Sequence, residues 1–282
     1  MLPENWRAGL QERNSSEKDS NNNTPYVVGV NSMVHRLWDR ERNKVNRRIT
    51  MTVLIACEES QTVCKEFRNL GHEAYSCDIV DCSGGHPEWH IKQNVIPLLN
   101  NYCHFTTMDG TEHYIEKWDL LIAHPPCTYL SNVCTRGFSL RCTPPEKVAE
   151  RWKNRALAAV FFMYFVLAPI EKICIENPVG FMNTAYCKPT QIIEPYQFAK
   201  DENDFDYVTK RTCLWLKNLE KLKTNNLKRP NNVELFGLRA NGKAYTWEEK
   251  VTKDRSRNRS KTFVGVARAM ATQWGCNADE KA

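Results

Sequence analysis

From Met51 onward, short apolar runs alternate with segments of helical spacing, and no other feature limits the possible folds so strongly. "TVLIAC", "EAYSCDIV", "WDLLIAH", "EKICIENP" and "RTCLWL" read as strands. Between the first two, "SQTVCKEFRNLG" sets Val63, Phe67 and Leu70 on one helical face, with Gly71 as its C-terminal stop. "EKVAERWKNRALAAVFFMYFVLA" reads as a long helix, polar first and apolar later. Strands alternating with helices predict an α/β fold with a doubly wound, mostly parallel sheet. In such sheets ligands bind beyond the carboxyl ends of the strands. The polar residues gather there: Glu58, Glu59 and Ser60 after the first strand, Asp78 after the second, Cys127 after the third, Glu176 and Asn177 after the fourth.

Residues 1–50 have a different character. "NSSEKDSNNNT" is polar and poor in apolar residues, which predicts a partly disordered N-terminal appendage, 1–50, before a compact domain over 51–282. "DRERNKVNRR" reads as a solvated charged segment. The longest apolar run, "ALAAVFFMYFVLAPI", is shorter than the roughly 20 residues a membrane span needs. The first residues hold no apolar signal core. The expectation is a cytoplasmic protein without a membrane partner. The chain has 12 cysteines but no C-x-x-C pair, which points to reduced thiols rather than a zinc ribbon or an iron–sulfur site. A net charge of +6 permits a phosphate-bearing partner without requiring one. Oligomeric state is not legible.

Cys127 follows Pro125 and Pro126 directly. Proline locks its own φ and restricts the residue before it, so this thiol sits at a fixed place where the strand ladder ends. That setting suits a nucleophile, against the alternative of a packed loop cysteine; Cys134 and Cys142 have no comparable strand-end setting and read as packing or surface thiols. Glu176 and Asn177 lie in "CIENPVG". A carboxyl at the end of an apolar strand is desolvated, which predicts a raised pKa and a protonated donor form. The alternatives are a helix cap or an edge ion pair. An acid facing a cysteine suits attack on a ring carbon whose neighbouring nitrogen must be protonated, the problem posed by C6 of a pyrimidine. Asp78 stands where an acidic residue commonly bonds the ribose of a nucleoside cofactor. The first turn, "ACEES", has no glycine, which argues against a pyrophosphate cofactor and is compatible with S-adenosylmethionine. Cys82, His86 and His90 are spaced by four, but Gly84, Gly85 and Pro87 make that stretch a loop, and no metal site is expected.

With these residues in place, the chain from Met51 to about Gly275 resembles the DNA cytosine-5 methyltransferase superfamily, most closely its short, phage-type members. "VLIACEES" is similar to the first cofactor motif, which implies that Ala56, Cys57, Glu58 and Ser60 line a cofactor site. "SCDIVD" resembles the ribose-binding turn, implying Asp78 and Ile79, and "IKQNVIPLL" the segment whose polar residue, here Asn94, faces the adenine. "AHPPCTYL" resembles the Pro-Cys motif, which makes Cys127 the nucleophile and places Pro125 beside the cofactor. "IENPVG" resembles the Glu-Asn motif, with Glu176 on the pyrimidine N3 and Asn177 shaping the pocket. "TKRTCLWLKNL" implies Lys210 or Arg211 as a basic residue at the site, and "SKTFVGVARAMATQWG" the helix that completes the cofactor pocket.

The resemblance implies a Rossmann-like class I methyltransferase fold and methyl transfer from S-adenosylmethionine to C5 of cytosine. Four departures stand out. Ala56–Ser60 replaces a glycine-containing turn, Thr128 follows the Pro-Cys pair, Pro178 follows the Glu-Asn pair, and the large recognition domain is reduced to a small basic insertion at about 217–260. That insertion carries Tyr245 and Trp247, which suit phosphate contact and base stacking; a solvated excursion is the alternative. The expected partner is DNA, duplex or single-stranded, or a cytidine nucleotide, in the host cytoplasm if the protein is phage-encoded. Two alternatives accompany this reading: another pyrimidine C5-modifying enzyme, and a catalytically inactive nucleic-acid-binding homologue.

Overall fold

A computed structural model describes residues 50–250 and 261–275. The expected appendage lies outside them apart from Thr50, as does part of the insertion. A seven-stranded sheet runs in the order β3-β2-β1-β6-β7-β9-β8. Its strands are β1 Thr52–Ala56, β2 Glu73–Asp78, β3 His90–Lys92, β6 Leu120–Ala123, β7 Lys172–Pro178, β8 Gln191–Ile193 and β9 Thr212–Lys217. A separate antiparallel hairpin, β4 Cys103–Thr106 with β5 Glu112–Ile115, precedes β6.

The sheet is parallel from β3 through β7. β9 then runs antiparallel to both β7 and β8. The five strands named from the sequence are all present. The three-residue β3 and β8, and the hairpin, were not foreseen, and neither was the reversal of β9. Strands that short show no period, and strand direction is a tertiary property.

Both faces of the sheet are covered, which is why its strands read as continuous apolar runs. In β1, Val53, Leu54, Ile55 and Ala56 are all fully buried. Leu54 and Ala56 join the core under α2 (Pro145–Val166), with Phe162, Phe165 and Trp118. Val53 and Ile55 join the opposite core, with Val63 and Phe67 of α1 (Thr62–Asn69) and Val266, Met270 and Trp274 of α3 (Val264–Trp274). Each such side chain contributes about 1.5–3 kcal/mol by leaving water. Gly71 ends α1 in the left-handed region, at φ 85°, as its sequence position suggested. Gly265 lets α3 pack tightly: an added Cβ would meet the Phe198 carbonyl at 2.4 Å. The Asp206 carboxylate accepts from the Gly265 amide at 2.5 Å and caps this helix.

The strand order reverses at β1, which has β2 on one side and β6 on the other. The crevice at that reversal, beyond the carboxyl ends of β1 and β6, is where a doubly wound sheet places its ligand. No helix among the described residues is long and apolar enough to cross a membrane.

Candidate active site

The turn after β1 carries a carboxylate where dinucleotide folds carry glycine. Cys57 and Gln61 both take the left-handed conformation, at φ 60° and 57°. For non-glycine residues that costs roughly 1–2 kcal/mol each. The turn is held by Glu58 N–H on the Cys77 carbonyl at 3.2 Å and Ser83 N–H on the Glu59 carbonyl at 2.8 Å. Glu58 then folds back on α1, its two oxygens accepting from the Val63 and Cys64 amides at 2.6 and 3.2 Å. Burial raises the Glu58 carboxyl above its ordinary value, against the pull of His124 and of the two amides. A helix N-terminus is ordinarily an anion site; this one is filled by the chain's own side chain.

β6 ends at Ala123, and the chain continues through His124, Pro125, Pro126 and Cys127. His124 N–H still bonds the Ala56 carbonyl at 2.9 Å, so the segment leaves the sheet in register with β1. The Cys127 carbonyl accepts from Leu130 and Ser131 amides, both at 3.0 Å, closing a turn that leaves the thiol exposed. The 11 cysteines among the described residues form no disulfide.

Glu176 and Asn177 sit on β7, still paired with Leu214 and Cys213 of β9. Asn177 is 2% exposed, and its Nδ2 donates to the Pro125 carbonyl at 2.7 Å, tying the Glu-Asn strand to the Pro-Pro-Cys turn. A second tie follows: Ser131 and Gly180 form an antiparallel bridge, and Phe181 N–H bonds the Leu130 carbonyl at 2.6 Å. Only glycine fits at 180, since a Cβ there would lie 2.0 Å from the Leu130 oxygen. From the other side, α2 holds the loop through Arg155, which is 7% exposed. Its Nε donates to the Tyr129 carbonyl at 2.9 Å, and its guanidinium lies 3.4 Å from the Phe138 ring centroid. The polar first half of α2 is thus the anchor of the cysteine loop.

These parts surround one cleft of about 860 Å³. Of the residues singled out from the sequence, Cys57, Glu58, Ser60, Asp78, Pro125, Cys127, Glu176, Asn177, Lys210 and Arg211 all line it. Ala56, Ile79 and Asn94 do not line it. Ala56 is fully buried in β1, Ile79 is 73% exposed, and the Asn94 Oδ1 accepts from the Ile96 amide at 3.0 Å. The lining is polarised by the strand order. Glu58, Glu59 and Asp78 come from the ends of β1 and β2, while Lys210 and Arg211 come from the segment before β9, Arg239 from the insertion and Lys261 from the segment before α3.

Sequence reasoning missed His124. Its Nδ1 lies 3.1 Å from Glu176 Oε2, with the two side chains 7% and 19% exposed. Its Nε2 is buried with no hydrogen-bond partner among the described residues. The signal was its place in "AHPPC", directly before the two prolines. This pair also corrects the expectation of a raised Glu176 pKa. Burial does push the carboxyl up, but the hydrogen bond and charge of His124, with the charge of Lys210, outweigh it and hold Glu176 below the usual glutamate range.

Two further expectations change. Cys134, read as a packing or surface thiol, lines the cleft and accepts from Arg155 Nη2 at 3.5 Å. Trp247 is no stacking platform, because it is 8% exposed and packs 5.0 Å from the Phe263 ring. The insertion instead contributes Arg239, Thr246 and Glu249 to the cleft wall, with Arg239 Nη2 on Glu249 Oε2 at 2.6 Å. His90 is engaged within the fold, by Ser76 Oγ at 2.8 Å and the Val80 carbonyl at 3.0 Å, while His86 stacks on Trp89 at 3.8 Å. Among the described residues no three His, Cys, Asp or Glu side chains are grouped to hold a metal.

No family model matches the chain, and no curated protein matches it.

Proposed function

We propose that this protein transfers a methyl group from S-adenosylmethionine to C5 of cytosine, through a covalent bond between Cys127 and C6. The observation that carries this reading is the convergence of an exposed thiol and a carboxylate, from neighbouring strand ends, in one cleft. The antiparallel β9 between β7 and β8 departs from an all-parallel dinucleotide sheet and is compatible with the mostly parallel sheet that the resemblance implies. The donor set also fits the cofactor. Asp78 offers a ribose acceptor at the end of β2, and the Glu58-filled helix end suits a nucleoside without phosphate. When bound, S-adenosylmethionine supplies an electrophilic methyl.

In this reading the Cys127 thiolate forms a bond to C6 of the ring. The C5–C6 π electrons move to C4–C5, the C4–N3 π electrons move to N3, and N3 takes a proton that water delivers through the Glu176 carboxyl. C5 is then nucleophilic and gains the methyl group. Water takes the C5 proton, the C5–C6 double bond re-forms, the carbon–sulfur bond breaks, and N3 returns its proton. Asn177 keeps the thiol and the carboxyl in register through Pro125. The basic side of the cleft, Lys210, Arg211, Arg239 and Lys261, suits the phosphate of a nucleotide or a strand. For duplex DNA the base must also leave the stack, at a cost of a few kcal/mol.

One observation favours a second reading. An ionised carboxylate only accepts hydrogen bonds, and it matches a ring that carries N3–H, such as uracil. Another pyrimidine C5 modification would then use the same thiol. Both readings are tested by incubating the protein with labelled S-adenosylmethionine and, separately, duplex DNA, single-stranded DNA, cytidine nucleotides and their uracil counterparts. Label in cytosine that disappears in Cys127→Ser supports the proposal. Label in uracil alone favours the second reading, and transfer that persists in Cys127→Ser removes the nucleophile from both.

A further inference from the structure

We propose that His124 is a positioning residue for the acid of this site, holding Glu176 by one oxygen so that the other meets the pyrimidine edge. The inference deepens the methyl-transfer reading and rests on it for the identity of the ring. Its basis is geometric. Nδ1 of His124 lies 3.1 Å from Oε2 of Glu176, an ionised carboxylate that can only accept, which assigns the proton to Nδ1; Oε1 has no hydrogen bond among the described residues. The imidazole is pinned by its own backbone, whose N–H bonds the Ala56 carbonyl at 2.9 Å, and by Pro125, which follows it. Its ring therefore stands where β1, β6 and β7 end together, between Glu58 on one side and Glu176 on the other.

The orphaned Nε2 supports a functional role. A buried polar atom without a partner costs about 1–3 kcal/mol. A histidine kept only for packing would be replaced by an apolar residue at less cost. Here the cost accompanies a bond that fixes a carboxylate at the cleft wall.

The proton balance is simple. Glu176 rests as a carboxylate held at Oε2 by His124, so a proton from water passes through Oε1 to N3 as the Cys127 sulfur bonds to C6. When the cysteine leaves, N3 returns the proton to Oε1. The charged and titratable groups around the pair are Glu58 from the turn after β1, Lys210 from the segment before β9, Cys174 on β7 and Cys213 on β9. Lys261 lines a small cavity with Glu176.

The test uses the full chain, with His124→Leu to remove the contact and His124→Asn to restore an N–H donor without an imidazole. Protein carrying carbon-13 at the glutamate carboxyls is titrated by NMR, and Glu176→Gln identifies the Glu176 signal. With His124 gone, burial is opposed less, so the Glu176 titration moves to higher pH in His124→Leu and less far in His124→Asn. In parallel, kcat/KM for methyl transfer falls about 10- to 100-fold at neutral pH, the range typical of losing a carboxylate- or histidine-orienting partner. His124→Asn recovers part of the loss. A Glu176 titration that does not move in the folded Asn variant or in His124→Leu overturns the proposal, whatever the activity. So does a folded His124→Leu variant that methylates at the wild-type rate. A titration that moves while no pyrimidine is methylated by any form supports the pairing and rejects the methyl-transfer reading.

Discussion

Asn177→Ala isolates the bond on which the cysteine–carboxyl geometry depends. Asn177 Nδ2 meets the Pro125 oxygen at 2.7 Å, and Pro125 itself is buried. Alanine leaves that carbonyl without its donor and out of reach of water. An unpaired buried acceptor costs about 1–3 kcal/mol. For a domain of this size each kcal/mol lowers Tm by about 2–4 °C, so the expected drop is about 2–12 °C. A domain of ordinary stability, about 5–15 kcal/mol, remains folded at 25 °C after such a loss. The effect on chemistry should be larger. Cys127 lies two residues beyond Pro125, and a misplacement near 1 Å at a reacting atom costs about 10²-fold. The assay is paired: a thermal melt, and the rate of covalent trapping by 5-fluorocytosine DNA at 25 °C, where the variant is folded. A trapping rate equal to wild type would show that the tie does not position the thiol. A melt unchanged to within about 1 °C would show that the bond is not made.

Gly180→Ala should act on the second tie between the same two loops. Its Cβ would fall on the Leu130 oxygen, so overpacking of about 1–3 kcal/mol and slowed trapping are expected, and a wild-type melt refutes the close approach. The contact between Glu176 and His124 predicts a pH signature. Its carboxyl titrates below its unfolded value of about 4.3, so the stability it adds is present above that pH and is lost as pH falls through the lower folded value. Denaturant titrations of wild type and Glu176→Gln should therefore differ at neutral pH and converge in acid. A difference that stays constant down through the carboxylate range contradicts the pairing.

The strands of the central sheet were legible because each is buried on both faces and reads as an unbroken apolar run. α1 was legible from Val63, Phe67 and Gly71. The three-residue β3 and β8 were not, because so few residues carry no period. The reversal of β9 leaves no local trace in "RTCLWL". At the site, residues at strand ends were found because the doubly wound sheet dictates where to look. His124 was missed because its partner lies 52 residues away, and only the pairing of β6 with β7 brings them together. The same contact reverses the direction expected for Glu176: burial was readable from "CIENP", the opposing imidazole was not. Trp247 misled because an aromatic in a basic segment looks like a stacking platform until its packing on Phe263 is seen.

The central claim is that the Cys127 sulfur attacks a cytosine ring. Its most direct test is mass spectrometry of the protein after incubation with S-adenosylmethionine and DNA containing 5-fluorocytosine, followed by denaturation and proteolysis. The fluorine at C5 blocks proton removal, so the covalent intermediate should accumulate. The account predicts a denaturation-resistant adduct on the peptide that contains Cys127, dependent on S-adenosylmethionine and absent from Cys127→Ser. An adduct on another cysteine, such as Cys134 in the same cleft, or no adduct from protein that does methylate cytosine, would contradict it.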